Sequence, residues 1–213
     1  MAVSISEIKA KLQAVSVEEL PAFIEIYGAD ERTGVQKIVE TAKKRMEALE
    51  KEKARIELLK RYERQYADYQ FICGIDEVGR GPLAGPVVAG AVILPKDCDI
   101  LYINDSKQLS EKKREELYDR IQEQAIACAV GVVSPERIDE INILQATYEA
   151  MRQAIAGLGQ TPDLLLNDAV TIPHVSIRQV PIIKGDAKSI SIGAASIYAK
   201  VTRDRMMVEY DSQ

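Results

Sequence analysis

Apolar and polar positions change rhythm near residue 70. Before it, apolar residues recur at helical spacing; after it, they come in short runs bounded by turn residues. "SISEIKAKLQAV" and "SVEELPAFIEIYG" predict two short helices. Ser4 or Ser6 suits the cap of the first, and Ser16 with Glu19 fits a capping box for the second. "GVQKIVETAKKRMEALEKEKARIELLKRYERQYADY" predicts one long helix, rich in strong helix formers and free of proline. Its many charges read either as a solvated face laced with i,i+4 pairs or as a handle for a substrate or partner.

Past residue 70 the runs predict strands. "QFICGID" is the first and "GPVVAGAVIL" the second, closed by Pro95. A helix at about 111–123 leads to the third, "QAIACAVGVVS". "SPERIDEIN" starts a short helix with Pro135 in its first turn, and "NILQATYEAMRQAIAGLG" follows as a longer one, with Gly157 and Gly159 near its stop. "DLLLNDAV" has the continuous apolar run of a strand buried on both faces. "VSIRQVPIIKGD" carries Pro181, which places it at a sheet edge. "AKSISIGAASIYAKVTRDRMMVEY" closes the chain as a helix, with Gly193, Ala194 and Ala195 small enough to press on a sheet. The order β-β-β-α-α-β-β-α, with the extra helix before the third strand, predicts an α/β fold: a mixed sheet flanked by helices, behind a helical N-terminal extension. The expected domains are residues 1–70 and 71–213.

Composition narrows the chemistry. At 213 residues the chain suffices for one full core and a small appendage. No run approaches the ~20 apolar residues of a membrane span, and no signal-peptide pattern opens the sequence. Cys73, Cys98 and Cys128 lack metal-ligand spacing and read as reduced, packed thiols of a cytosolic protein. The net charge of −5 argues against a general polyanion binder. Residues 1–70 hold 13 basic and 13 acidic side chains, so the whole excess falls on the remainder. With one histidine, His174, a histidine-based zinc site or general base is nearly excluded, and chemistry must rest on carboxylates.

Carboxylates stand where ligands collect. "GIDEVGRGPLAG" places Asp76 and Glu77 at the end of an apolar strand, ahead of a glycine-rich turn. Asp168 ends the apolar strand "DLLLNDAV", and Asp186 follows "IIKG". Ligands in α/β proteins bind at the carboxyl ends of strands. Four acids meeting there repel one another unless a cation lies between them, and a hard, oxygen-seeking cation, Mg²⁺ or Mn²⁺, fits that donor set. Taken singly, an Asp after a strand is also a turn former, and Asp186 is also a candidate helix cap. "GRGPLAG" lacks the GK[ST] of a P-loop. Its glycines allow backbone close to a substrate, and Arg80 offers a fork to phosphate; a tight strand connection is the plainer reading.

"GIDEVGRGPLAGPVVAGAVIL", "NDSKQLSEKKREELYDRI", "LLNDAV" and "IIKGDAKSISIGAASIYAKVTRDRMM" together resemble bacterial ribonuclease HII, from about Phe71 onward. The resemblance implies a ribonuclease H-like fold and a type 2 activity. That activity is endonucleolytic cleavage of RNA in RNA/DNA hybrids and nicking 5′ of ribonucleotides embedded in duplex DNA, leaving 3′-hydroxyl and 5′-phosphate ends. It implies Asp76, Glu77, Asp168 and Asp186 as catalytic acids holding two Mg²⁺ or Mn²⁺ ions, Asp186 serving the second. It further implies Gly79, Arg80 and Gly81 as the element that senses the 2′-hydroxyl. Ser106 and Lys107 would contact phosphate, and Ser196 and Lys200 would support the substrate strand. The expected partners are RNA/DNA hybrids and ribonucleotide-containing DNA, with no membrane partner and a monomeric protein.

Two departures stand out. The family continues beyond "RDRMM" to an HKGY-like element whose tyrosine stacks on a sugar; the sequence stops at Gln213 without it, and a C-terminally truncated member is expected. A hybrid-binding fragment with little or no activity is therefore the alternative. Asn167 replaces a commonly apolar residue, and alternation aims it away from Asp168. A neutral helical extension resembles that of Bacillus-like HII enzymes rather than the β-rich, basic domain of ribonuclease HIII, and is expected to help grip the hybrid.

Overall fold

The computed structural model describes residues 3–81 and 84–212. Two compact units divide between Arg55 and Ile56. In the first lie α1 (Ile5–Ala14), α2 (Leu20–Tyr27) and most of α3 (Thr33–Leu59). Ser4, not Ser6, caps α1: its hydroxyl accepts from the Glu7 amide, and Glu7 reaches back to the Ser4 amide at 2.9 Å. The second expected cap fails. Glu19 does bond the Ser16 amide, but α2 begins at Leu20 with Pro21 in its first turn and no side-chain cap. Ile8, Leu20, Val35 and Ala42 are fully buried together in this unit's core.

The long predicted helix is two. α3 ends at Leu59, Lys60 leaves helical geometry, and α4 spans Arg61–Gln65. Ile56 and Leu59 already belong to the second unit, where they pack with Val92, Ile100 and Leu117. That unit is built on a five-stranded sheet in the order β3-β2-β1-β4-β5. Its strands are β1 (Ile72–Val78), β2 (Val87–Ile93), β3 (Ala127–Val133), β4 (Leu164–Asp168) and β5 (Arg178–Ile182). β1 pairs antiparallel with β2 and parallel with β4, and β4 pairs parallel with β5. The expected mixed sheet is therefore found, with Pro181 on an edge strand, where its missing N–H costs no ladder bond.

Alternation assigns the two faces. Cys73, Ile75 and Leu165 face Ala150, Met151 and Ala154 of α6 (Pro135–Gly157). Gly74, Gly90 and Leu166 face α7 (Ile190–Asp211). A Cβ on Gly74 would stand 2.0 Å from the Ser191 carbonyl carbon, and one on Gly90 2.5 Å from the Ala195 oxygen. Only glycine lets α7 lie this close to the sheet. Ala194 and Ala195 are buried as expected, whereas Gly193 points elsewhere, toward Ile103 and the Asp186 carbonyl. α5 (Glu111–Gln124) packs beside α7 through Leu117 and Ile121. The two helices expected over 134–159 join as α6 across a kink at Asn142 (φ 67°, ψ 161°). There the Asn142 carboxamide accepts from the Leu144 and Gln145 amides, both at 3.1 Å, and so caps the second segment.

All three cysteines are free. Burial pushes the Cys73 thiol up to about 12, so it is an inert packing group.

Candidate active site

β1 and β4 run parallel, so their carboxyl ends lie at the same edge of the sheet. The register pairs Gly74 with Leu166 and Ile75 with Asn167. The next step sets Asp76 beside Asp168 on neighbouring strands, about 4.8 Å apart in backbone spacing. Both take the parity of Gly74 and Leu166, and therefore the face toward α7. Asn167 takes the opposite face, as alternation predicts. It is fully buried, and its amide donates to Gln179 Oε1 (2.8 Å) and the Val170 carbonyl (3.1 Å).

Asp186 arrives by a different route. Ile182 ends β5, Lys184 takes a left-handed conformation (φ 56°), and a 3-10 turn follows at Gly185–Ala187. The Gly185 amide donates to Asp168 Oδ1 at 2.7 Å, which holds this turn against the end of β4. Ser189, not Asp186, caps α7, so the capping reading of Asp186 does not hold. Ala169, next to Asp168, is also left-handed (φ 54°). Two such non-glycine residues cost of order 1 kcal/mol each and persist because the surroundings over-determine them.

The result is a cleft of about 600 Å³ lined by Asp76, Glu77, Asp168 and Asp186. Gly79, Arg80, Gly81, Ser106, Lys107, Ser196 and Lys200 line the same cleft, so every residue singled out in the sequence is brought to one place. A smaller pocket lies elsewhere: about 310 Å³ in volume and walled by Lys60, Glu63, Ile72, Leu94 and Ile190, it contains none of these acids.

Electrostatics mark the cleft as strained. Asp76 is 7% exposed. Burial, then the neighbouring Glu77, then Asp168 raise its carboxyl well above the ordinary range, against the pull of the Ser196 hydroxyl. The Ser196 and Ser106 hydroxyls are hydrogen-bonded to each other at 3.0 Å, linking α7 to the 3-10 turn Ser106–Gln108. Asp186 is raised by burial and by Asp105 and Asp168, with Lys107 opposing. Glu77 Oε1 accepts from Arg80 at 2.9 Å, while its Oε2 is buried without a hydrogen-bond partner among the described residues. Lys200 is tied to Asp204 at 2.5 Å, so it reaches into the cleft as half of an ion pair.

Among the described residues, no three His, Cys, Asp or Glu side chains stand together as a ready-made metal shell. Glu77 leans on Arg80, and Asp168 on the Gly185 amide. The donor set nevertheless fits a hard divalent cation. It is all carboxylate oxygen, it is mutually repulsive, and it includes one buried oxygen with nothing to bond.

Two residues that bear on the cleft escaped the sequence reading. Asp105 accepts from the Lys107 amide at 2.9 Å and acts on Asp186. An Asx turn before "SK" is the signal that would have found it. Arg203 is 6% exposed and borders the cleft. Nothing local sets it apart from its neighbours in "TRDRMM".

Residues 73–213 match the family described as Ribonuclease HII, and residues 4–67 match the Ribonuclease HII N-terminal domain. The chain belongs to the ribonuclease HII family. Ribonuclease HII of Lachnoclostridium phytofermentans is 66% identical over 212 residues, covering all of this chain and 84% of that protein. Ribonuclease HII of Clostridioides difficile is 50% identical over 210 residues, covering 98% and 82%. As a ribonuclease HII the chain is an enzyme, a type 2 ribonuclease H endoribonuclease. Its fold agrees with solved relatives. The ribonuclease H2 from Pyrococcus horikoshii OT3 superposes with a TM-score of 0.60 at 30% identity, over 67% of this chain and 76% of that one. RNase HII of Archaeoglobus fulgidus, solved in a complex with PCNA, gives 0.52 at 30% identity, over 67% and 77%. Bst-RNase HIII in complex with Mn²⁺ gives 0.54 at 19% identity, over 67% and 54%, a likeness of fold alone. The ribonuclease H-like reading of the sheet thus holds.

Proposed function

We propose that this chain cuts the RNA strand of RNA/DNA hybrids and nicks duplex DNA 5′ of embedded ribonucleotides, leaving 3′-hydroxyl and 5′-phosphate ends, with Mg²⁺ or Mn²⁺ held by Asp76, Glu77, Asp168 and Asp186. One observation carries the reading: four acids from three separate parts of the chain line one cleft together with Gly79, Arg80, Gly81 and Lys107. These acids would hold the divalent ions, two in the reading favoured here, and the ions would supply activation of the attacking water and stabilisation of charge on the leaving oxygen.

The protein's own groups do the rest. Asp76, desolvated and crowded by Glu77 and Asp168, gains most from a cation, because its ionised form is the costly one without it. Lys107 meets phosphate as a point charge. Arg80 offers a fork to phosphate by exchanging its bond with Glu77 for one with the substrate. Gly81, where an added Cβ would meet open space, carries no side chain that would hold a ribose away, so backbone groups there can meet a 2′-hydroxyl. Residues 1–70 form the extension that helps grip the duplex, and 71–213 the catalytic domain.

The deciding assay uses duplex DNA with one ribonucleotide, in Mg²⁺ or Mn²⁺ and in chelator. Cleavage on the 5′ side of the ribonucleotide is expected only with metal. Asp76→Asn and Asp168→Asn should each lower kcat by about 10³-fold or more while the fold, followed by circular dichroism, is kept. Residual activity within tenfold of the unaltered chain would contradict the role given to these acids.

A further inference from the structure

The glycine turn between β1 and β2 is held by a buried charge from α7. Arg203 comes from α7 and is 6% exposed. Its Nε donates to the Pro86 carbonyl at 2.9 Å and its Nη2 to the Ala84 carbonyl at 2.8 Å. Among the described residues no carboxylate forms an ion pair with it. A buried cation in that position is costly unless carbonyl dipoles solvate it, and here both dipoles come from the turn's returning limb.

The outgoing limb is fitted around the same guanidinium. Gly79 has φ +98°, and a Cβ there would stand 2.5 Å from the Pro86 oxygen and 2.7 Å from Arg203 Nε. Gly85 has φ +85°, and its Cβ would meet Arg203 Nη2 at 3.2 Å and Met207 Sδ at 2.5 Å. Both limbs therefore close on one side chain. The sidechain in turn borders the cleft that holds Asp76 and Glu77. The planar fork reaches two carbonyls at once, which an ammonium group does less well.

We infer that Arg203 is a positioning residue: its guanidinium pins the glycine turn to α7 and so sets the height of Gly79, Arg80 and Gly81 above Asp76. The inference rests on the proposed function, in which those three residues read the ribonucleotide. It assigns Arg203 to substrate recognition and leaves cation binding to the acids.

The test compares Arg203→Met and Arg203→Lys with the unaltered chain on duplex DNA carrying one ribonucleotide. The Met variant should raise KM about tenfold or more with kcat within about threefold. The Mg²⁺ concentration for half-maximal rate should not move. The Lys variant should fall between the two, and millimolar guanidinium should lower KM again in Arg203→Ala where equal NaCl does not. A KM for the Met variant within twofold of the unaltered chain overturns the inference, as does a loss confined to kcat. Should the Met and Ala variants fail to fold, amide exchange in Arg203→Lys decides. Faster exchange at Gly79, Gly81 and Gly85 is expected, and unchanged protection refutes the role. If the unaltered chain does not cut this substrate, the proposed function falls, while the exchange measurement still judges Arg203.

Discussion

At the residue scale, Asp76 carries most of the tension. Its folded carboxyl is raised above the unfolded value by burial, Glu77 and Asp168, so its favourable contribution exists at low pH and is lost as pH rises through the folded pKa. Near neutral pH the metal-free protein therefore bears a penalty. In chelator, Asp76→Asn should raise Tm at pH 7, by about 2–4 °C per kcal/mol relieved, and the gain should shrink as pH falls toward the ordinary carboxylate range. Added Mg²⁺ or Mn²⁺ should stabilise the unaltered chain but much less the variant; at 100-fold over Kd the linkage is worth about 2.7 kcal/mol. Equal melting of both proteins at every pH and metal level would show that Asp76 is neither strained nor a ligand. Asp76, Glu77 and Asp168 were legible because acids at the end of an apolar strand contradict its pattern. Arg203 was not, since an arginine in a helix of mixed composition looks like any solvated cation until burial is known.

At the element scale, α7 is tied to other segments both at its start and in its later turns. Arg203 ties its later turns to the glycine turn. At its start, Glu63 Oε1 accepts from Ser189 Oγ at 2.5 Å and from the Ser191 amide at 3.1 Å. A carboxylate at a helix N-terminus satisfies free amides and meets the positive end of the dipole. Glu63→Ala should cost about 1–2 kcal/mol in urea unfolding; no change would mean that Ser189 alone suffices. The same contact bears on truncation. Removing residues 1–65 takes away Glu63, together with Ile56 and Leu59 of the second unit's core, and so confounds grip with stability. Removing 1–55 follows the division between units. That shorter deletion should weaken hybrid binding without lowering the melting point of the catalytic unit, and unchanged affinity by fluorescence anisotropy would refute a gripping role. The break at Lys60 escaped the sequence because helix formers continue through it; packing of Ile56, Leu59, Tyr62 and Tyr66 into the second unit decides where that helix ends.

At the scale of the whole molecule, a net charge of −5 offers no general attraction to a duplex. Beside the grip expected of the extension, the proposed phosphate contacts are the cations that line the cleft, Arg80, Lys107 and Lys200. Three phosphate contacts imply a slope of log K against log salt of about −3, and Lys107→Ala should reduce its magnitude by about 1. Measured on Asp76→Asn to prevent cleavage, an unchanged slope would remove Lys107 from the phosphate contacts.

Sequence alone determined the five strands and where helices lie, though not the break at Lys60, together with the edge position of the proline-bearing strand and the acids at three separate chain positions. These follow from periodicity, turn residues and local composition, which act over a few residues. Tertiary structure decided which of those acids share a face, because parallel pairing of β1 with β4 sets Asp76 beside Asp168. It also turned an ordinary-looking arginine into the buried anchor of the glycine turn. Such facts arise between segments far apart along the chain, and short-range pattern holds no record of distance in space.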